Sequence, residues 1–240
     1  MRAIIKPSKS ETKAELFVGI SQGLPLGGPF VMVTVALRKE RKVNYKNQIF
    51  NMDCIAGMTL LPDGCVDMVL TDLPYGMTDC RWDSIIPFEL LWKQLERVTK
   101  PDGAMVFTAS QPFTTKLIGS NQKNFRYCWY WVKNMVTGFP FAKFQPLRCV
   151  EDIVVFYRKK PTYNPQGLVA TEKTIHTKPR AVKDDCVYDQ KTLNKEYETK
   201  YTNWPRQILT FSCQREGLHP TQKPVALFEY LVRTYTNPKQ

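Results

Sequence analysis

Short, continuous apolar runs alternate along this chain with stretches in which apolar residues recur at helical spacing. The runs have the length of buried strands and are rich in β-branched and aromatic residues; they cover 66–70, 104–108, 125–132 and 152–157. The clearest helical spacing is that of Phe88, Leu91, Trp92, Leu95 and Val98. Strands that alternate with helices predict an α/β fold built on a parallel, doubly wound sheet. We expect the last strands to add an antiparallel edge to that sheet.

Weaker patterns fill the gaps between these elements. We predict a short strand over 47–53 and helices over 55–61, 111–118 and 225–235. Two turn sequences, Pro62-Asp63-Gly64 and Lys100-Pro101-Asp102-Gly103, each precede a predicted strand. The turns therefore mark where those two strands are expected to begin.

Length and composition narrow the class of protein. The 240 residues, 43% of them hydrophobic, suffice for one α/β domain with a core and an insert. The apolar runs are too short for a membrane span and no secretory leader is present, so we expect a cytoplasmic protein. Seven cysteines without a Cys-x-x-Cys pair, and only two histidines, predict reduced thiols and no metal site.

The charge is strongly positive, +12 with an isoelectric point near 9.4, which favours a polyanionic partner. The alternative is a soluble protein whose surface is merely basic. Two segments carry much of the charge. Residues 1–46 have nine Lys and Arg against three Glu around a Gly/Pro stretch, and residues 158–215 have twelve Lys and Arg against six Asp and Glu.

The most informative stretch is the apolar run 66–70 with the residues that follow it, Asp72-Leu73-Pro74-Tyr75. In open α/β sheets ligands bind beyond the carboxyl ends of the strands, which is where Asp72 and Tyr75 are expected. Leu73 precedes a proline and is biased towards an extended conformation, which leaves its carbonyl free to accept. A carboxylate, a free carbonyl and an aromatic ring together suit a flat heterocycle with an exocyclic amine. The alternative is a plain turn after the strand.

A second polar motif, Leu218-His219-Pro220-Thr221-Gln222-Lys223-Pro224, precedes the helix predicted over 225–235. By local chemistry alone it is a helix start, in which Thr221 caps the helix and Pro224 occupies the first turn. That local interpretation is compatible with a further role in binding.

In this order the two motifs resemble those of the amino-methylating DNA methyltransferases, which modify adenine N6 or cytosine N4 and whose catalytic tetrapeptide is written (D/N/S)-P-P-(Y/F/W). The order itself is similar to that of the β-type subgroup. The resemblance implies a Rossmann-like methyltransferase sheet, S-adenosylmethionine as cofactor and double-stranded DNA as substrate. It implies catalytic roles for Asp72, Leu73, Pro74 and Tyr75. It implies cofactor contacts for Asp53, His219, Pro220, Thr221, Gln222 and Lys223, although Asp53 also suits a helix N-cap.

The resemblance also divides the chain. Residues 47–160 are the expected catalytic core, 161–215 a basic target-recognition insert, and 216–240 the cofactor-flanking motif with its helix, while the extension 1–46 has no assigned role. Two positions depart from the family pattern: Leu73 replaces the commoner proline, and Val150 stands where a histidine precedes the retained Glu151. Gly138 and its aromatic neighbours either line the pocket of a flipped base or form a packed loop.

A Gly-rich turn, at which the family binds its cofactor, has no counterpart in the sequence, and the chain ends where the strand leading to it is expected. We therefore expect a sheet that is incomplete at the C-terminus, an exposed edge beside the strand of Asp72, and weak or no activity of the chain alone. Its partner is then a second copy or a complementing C-terminal fragment. We expect adenine N6 as the target, with cytosine N4 second. The alternatives are a non-catalytic DNA-binding remnant and, less favoured, an RNA or protein methyltransferase.

Overall fold

Helices and strands form close to where the hydrophobic pattern places them. The computed structural model describes residues 49–80, 83–177, 197–213 and 222–238. The helices are α1 (Cys54–Thr59), α2 (Phe88–Val98), α3 (Phe113–Ser120) and α4 (Val225–Tyr235). The strands are β1 (Val66–Asp72), β2 (Thr99–Ala109), β3 (Phe125–Thr137), β4 (Arg148–Phe156), β5 (Val169–Thr177), β6 (Tyr197–Thr202) and β7 (Ile208–Thr210). The extension 1–46 and the motif residues His219, Pro220 and Thr221 lie outside the described residues.

Five strands form one sheet in the order β1-β2-β4-β3-β7. β1 is parallel to β2 and β3 is parallel to β7, whereas β4 is antiparallel to both of its neighbours, β2 and β3. Four of the five strands therefore run the same way. The antiparallel strand was expected at an edge, which is wrong: β4 follows β3 through a hairpin, which makes the pair antiparallel, and it lies inside the sheet. In the described part of the chain, β1 is paired on one side only.

Several local features differ from the predictions. Residues 49–53, the described part of the predicted first strand, form no strand, because Asp53 caps α1 by accepting a hydrogen bond from the Ala56 amide at 2.9 Å. The turn predicted at 100–103 lies within β2 as a bulge, since Val66 pairs with Thr99 but Met68 already pairs with Ala104. Helix α4 begins one residue after Pro224, which occupies the N-cap position and not the first turn.

Alternating side chains bury the sheet on both faces, as expected for strands that are continuously apolar. Helices α1, α2 and α3 cover one face through a core that includes Met58, Val69, Leu91, Leu95, Phe107, Phe113 and Leu117. Helix α4 covers the other face through a core that includes Met68, Leu70, Val106, Trp129, Leu227 and Leu231. The Tyr235 hydroxyl ties α4 to β3, because it accepts a hydrogen bond from Trp129 Nε1 at 2.7 Å and shares another with the Tyr127 hydroxyl at 2.8 Å.

Residues Pro165–Arg206 form a second compact unit. Its described part is a two-stranded antiparallel sheet of β5 and β6. The turn after β6 is fixed by Asn203, which has a positive φ of 59° and whose side-chain amide donates to the Gly167 carbonyl at 2.7 Å. Within the described ranges, no helix has the length and apolar character needed to cross a membrane.

Candidate active site

The carboxylate of Asp72 lies at the carboxyl end of β1, on the face of the sheet that α4 covers. The period of two along β1 puts Asp72 on the same face as Met68 and Leu70, which pack against α4. Its Oδ1 accepts hydrogen bonds from the Tyr75 hydroxyl at 2.9 Å and from the Thr108 hydroxyl, and Thr108 is its register partner on β2. Its Oδ2 accepts from Lys223 Nζ at 2.9 Å. Both oxygens are therefore engaged in this state.

Lys223 links Asp72 to a second carboxylate. The side chain comes from the residue just before Pro224 and α4, is 8% exposed, and lies 3.4 Å from Glu151 Oε2 as well as 2.9 Å from Asp72 Oδ2. Burial alone would lower the pKa of Lys223, but the two carboxylates outweigh it and raise that pKa above its ordinary value. The ammonium group is thus charged at neutral pH.

Glu151 continues this series of alternating charges onto β3 and β4. Lys133 of β3 donates to Glu151 Oε1, and the Lys133 ammonium lies 5.2 Å from the centroid of the Trp131 ring. Glu151 Oε2 is buried and makes no hydrogen bond to any described residue. Two lysines and two carboxylates therefore alternate along the edge of the sheet, and their formal charges cancel.

Tyr75 forms an aromatic wall next to Asp72. Its ring is half-buried and stacks on Phe113 with the centroids 5.1 Å apart and the planes at 22°. Burial, followed by the charges of Asp72 and Glu151, raises the pKa of Tyr75 well above its ordinary value, so the phenol stays neutral and donates to Asp72. The Lys223 ammonium lies 5.6 Å from the ring centroid. The ring is thus held beside the carboxylate and is not enclosed in the core.

The two residues between Asp72 and Tyr75 point inward. Leu73 is 4% exposed and belongs to the core beneath α1, α2 and α3, and Pro74 is also buried. The side chain of Leu73 therefore offers nothing to a ligand, and its backbone alone is left for the role that the sequence predicts.

Asp83 fixes the loop that follows the tetrapeptide. Its Oδ1 accepts from the Gly76 amide at 2.8 Å; its Oδ2 accepts from the Met77 amide at 2.9 Å and from the amide and hydroxyl of Thr78, each at 2.8 Å. Burial would raise the pKa of Asp83, but these hydrogen bonds, led by that of Gly76, together lower it below its usual range. An ionised, 8% exposed carboxylate therefore holds the backbone directly after Tyr75.

The remaining predicted site residues stand apart from this cluster or lie outside the described residues. Asp53 caps α1, and no described hydrogen bond or ion pair joins it to Asp72. Gln222 is half-buried next to Lys223. The sequence-predicted roles of Asp53, Gln222, His219, Pro220 and Thr221 in cofactor binding remain predictions.

Four residues of the cluster were missed by the sequence reasoning: Thr108, Phe113, Lys133 and Asp83. Thr108 ends the apolar run predicted as the neighbouring strand, so assigning parallel register would have placed it beside Asp72. For Asp83 no such signal exists, because an aspartate eleven positions beyond Asp72 is ordinary in a loop. Its role depends on a chain reversal that only the folded structure shows.

Two thiols of the described residues, those of Cys54 and Cys128, are weak nucleophiles. Burial, and then the charge of Asp53, raises the pKa of Cys54 to about 11; burial, and then the charge of Asp152, raises that of Cys128 to about 11. Both thiols are therefore protonated at neutral pH.

Comparisons with known proteins find a matching family and similar structures. A protein-family model described as DNA methylase matches residues 66–240, from the first residue of β1 through the tetrapeptide and Lys223. Among solved structures, PvuII DNA methyltransferase (cytosine-N4-specific) is similar with a TM-score of 0.50 and 13% identity, over 78% of this chain and 69% of that one. An M1.HpyAVI–SAM complex matches with a TM-score of 0.45 and 21% identity, over 77% and 73%. The likeness to the PvuII enzyme confirms the predicted fold class.

Proposed function

The chain belongs to the DNA methylase family of the N6 and N4 type, and from that premise we propose that it methylates the exocyclic amine of a base in double-stranded DNA. The observation that carries the proposal is the place of Asp72, a carboxylate at the carboxyl edge of the sheet beside the Leu73 backbone and the Tyr75 ring. The net charge of +12 supports a polyanionic substrate, which would be bound largely through phosphates. Adenine N6 is our first choice and cytosine N4 our second, because the tetrapeptide begins with an acidic residue.

The cluster fits S-adenosylmethionine as the methyl donor. The donor carries a positive charge, and two carboxylates, Asp72 and Glu151, lie at the edge of the sheet beside which it would bind. We propose that Asp53, His219, Pro220, Thr221, Gln222 and Lys223 hold the cofactor, as the family resemblance implies. When bound, S-adenosylmethionine supplies an electrophilic methyl group on a sulfonium sulfur.

In the proposed reaction this chain's residues bind and orient the base. Its amine is unreachable inside a duplex, so the base is swung out of the stack, and the Tyr75 ring packs against it. The amine donates to Asp72 and to the Leu73 carbonyl, which localises the nitrogen lone pair. Asp72 would accept the proton that the amine loses when it takes the methyl group, and would pass that proton to water. Positioning supplies most of the acceleration.

Before the base binds, Lys223 occupies the oxygen that the amine needs. We propose that the amine displaces Lys223 from Asp72 Oδ2 and that Lys223 moves fully onto Glu151 Oε2, which is already 3.4 Å away. This exchange keeps the Lys223 ammonium paired, because the lysine passes from one carboxylate to another, and it frees Asp72 Oδ2 to accept the amine.

Replacing the carboxylate tests the proposal. Asp72→Ala is expected to abolish methyl transfer to mixed-sequence, unmethylated duplex DNA while leaving DNA retention nearly unchanged, because phosphate contacts dominate affinity. The matched control is Asp63→Ala, which removes a surface carboxylate with a side chain 79% exposed. Radiolabelled methyl incorporation and gel retention are measured on both variants. Equal loss of transfer and retention in Asp72→Ala would contradict the role given to Asp72.

A second candidate function is DNA binding without catalysis. Two observations favour it. Both carboxylate oxygens of Asp72 already accept hydrogen bonds from the protein, and among the described strands β1 pairs only with β2. On this basis we propose that methyl transfer by the chain alone is weak. Calorimetric titration with S-adenosylmethionine separates the two: a Kd in the low micromolar range together with methyl transfer supports an enzyme, and DNA retention with no measurable cofactor binding supports the remnant.

A further inference from the structure

The β3–β4 hairpin extends beyond the edge of the sheet at which Asp72 lies. Asp72 pairs with Thr108, Thr108 pairs with Ile153, and Ile153 pairs with Trp129, so all four share one row of the sheet. β3 then continues from Trp129 to Thr137, and β4 begins at Arg148. We call residues 135–148 the hairpin tip. The tip therefore lies past the carboxyl ends of the strands, on the side of the sheet edge where the candidate active site is.

Large apolar side chains are uncovered at the hairpin tip. Phe144 is 86% exposed, Phe139 65% and Phe141 54%. The sequence left open whether this stretch is a packed loop, and that alternative is wrong, because none of the three rings packs into the core. Three exposed phenylalanines within six residues form an apolar patch of the kind that marks an interaction site.

The backbone of the tip is ordered independently of those rings. Gly138 has a φ of +96°, and the turn after it is closed by hydrogen bonds from the Phe141 amide to the Gly138 carbonyl (2.9 Å) and from the Phe144 amide to the Phe141 carbonyl (2.9 Å). At its base, Thr137 pairs with Arg148. The rings are thus presented outward by a turn that backbone hydrogen bonds close.

The charge of the tip selects among partners. Residues 132–150 contain three basic residues, Lys133, Lys143 and Arg148, and no Asp or Glu. Lys133 is paired with Glu151, which leaves Lys143 and Arg148 as the cations of the tip. Aromatic rings beside cations, without a carboxylate, suit stacked bases flanked by phosphates. A second copy of this chain would instead bring two basic surfaces together.

We propose that the hairpin tip is a DNA-contact surface. Its phenylalanine rings, Phe144 foremost, pack against bases next to the position of the extruded nucleotide, while Lys143 and Arg148 contact the phosphates. This inference rests on the proposed function, because it needs duplex DNA at the edge where Asp72 lies. Proteins that bend or open a duplex use apolar wedges of this kind to replace lost stacking.

The experiment compares three variants of the full chain on mixed-sequence, unmethylated duplex DNA. Phe144→Ser should raise the Kd roughly tenfold without changing the dependence of log Kd on log salt, because stacking on bases releases no counterions. The pair Lys143→Ala with Arg148→Ala should reduce the steepness of that salt dependence by about two. Leu90→Ala, which removes a 50% exposed leucine from α2, is the control and should bind like the unchanged protein.

The stability of Phe144→Ser and its binding to DNA are measured separately. Phe144→Ser replaces an 86% exposed ring, so its thermal unfolding should match that of the unchanged protein. The inference is overturned if Phe144→Ser and the Lys143/Arg148 pair both bind DNA as Leu90→Ala does. It is also overturned if Phe144→Ser converts a dimer to a monomer by sedimentation while DNA binding is unaltered, since the tip is then covered by a second copy. In either case methyl transfer that still depends on Asp72 leaves the proposed function standing.

Discussion

Two carboxylates on either side of the tetrapeptide loop are held in opposite ways. Asp72 accepts hydrogen bonds from three side chains, those of Tyr75, Thr108 and Lys223. Asp83 accepts three of its four hydrogen bonds from consecutive backbone amides, 76 to 78. Side-chain donors can rotate away from an acceptor, whereas these amides are fixed by the chain. Asp72 is therefore suited to exchange partners, and Asp83 to keep them.

The two carboxylates also differ in their exposure to solvent. The Asp72 side chain is 30% exposed, so a ligand can reach it, whereas Asp83 is 8% exposed and its lone pairs are occupied by the loop that it holds. We therefore propose that Asp72 takes part in the reaction and that Asp83 positions Tyr75. Each of the substitutions that follow removes one feature on which this assignment depends.

The largest effect is expected from Lys223→Met. Without the cation, Asp72 loses its ion pair and Glu151 keeps only that with Lys133, and breaking a buried ion pair from one side destabilises a protein by about 3 kcal/mol. Lys223→Arg keeps the charge and serves as the control. Urea unfolding provides the measurement, and a stability of Lys223→Met equal to that of the unchanged protein would show that Lys223 does not hold the two carboxylates together.

An intermediate effect is expected from Asp83→Asn. The asparagine amide is neutral and can accept through only one atom. All of the loop's N–H and O–H donors therefore lose a charged acceptor and some lose any acceptor, at a cost in stability of about 2 kcal/mol. Because the loop carries Tyr75, kcat for methyl transfer should fall by more than the KM for DNA rises. Asp79→Asn, an exposed neighbour in the same loop, should change neither quantity. A loss of stability without any change in kcat would make Asp83 purely structural.

The stability of the same variant is also expected to depend on pH in a defined direction. The folded-state pKa of Asp83 is lowered, so the folded protein binds the proton less readily than the unfolded chain, whose aspartates titrate near 4. The stability difference between the unchanged protein and Asp83→Asn should therefore be fully present above about pH 4 and be lost as the pH falls through the folded-state value. A difference that grows on acidification would show that the hydrogen bonds to Asp83 do not favour its ionised form.

The sequence predicts regular elements and one end of the active site, but not the contacts between distant elements. Helices 88–98 and 225–235 are confirmed to the residue, because their apolar spacing is complete. The interior position of β4 was not predicted, since strand order is decided by which faces pack and not by the pattern of one strand. The pairing of Lys223 with Asp72 joins residues 151 positions apart, and no local rule places them together.

The smallest effect is expected from Gly76→Ala, which probes the loop from the backbone side. Gly76 has a φ of +66°, and a Cβ there would lie 2.8 Å from Ile85 Cγ1, so alanine meets both backbone strain and a contact that Ile85 must relieve. The left-handed conformation costs an L-residue about 1–2 kcal/mol, and we expect a loss of stability in that range. Gly119→Ala in α3, where a Cβ meets nothing within 4 Å, should instead stabilise the protein by up to about 1 kcal/mol. Thermal unfolding of both variants provides the measurement. If Gly76→Ala leaves the stability unchanged, the backbone of the loop is not held in one conformation by Asp83. The proposed difference between Asp72, which exchanges its partners, and Asp83, which keeps them, would then be contradicted.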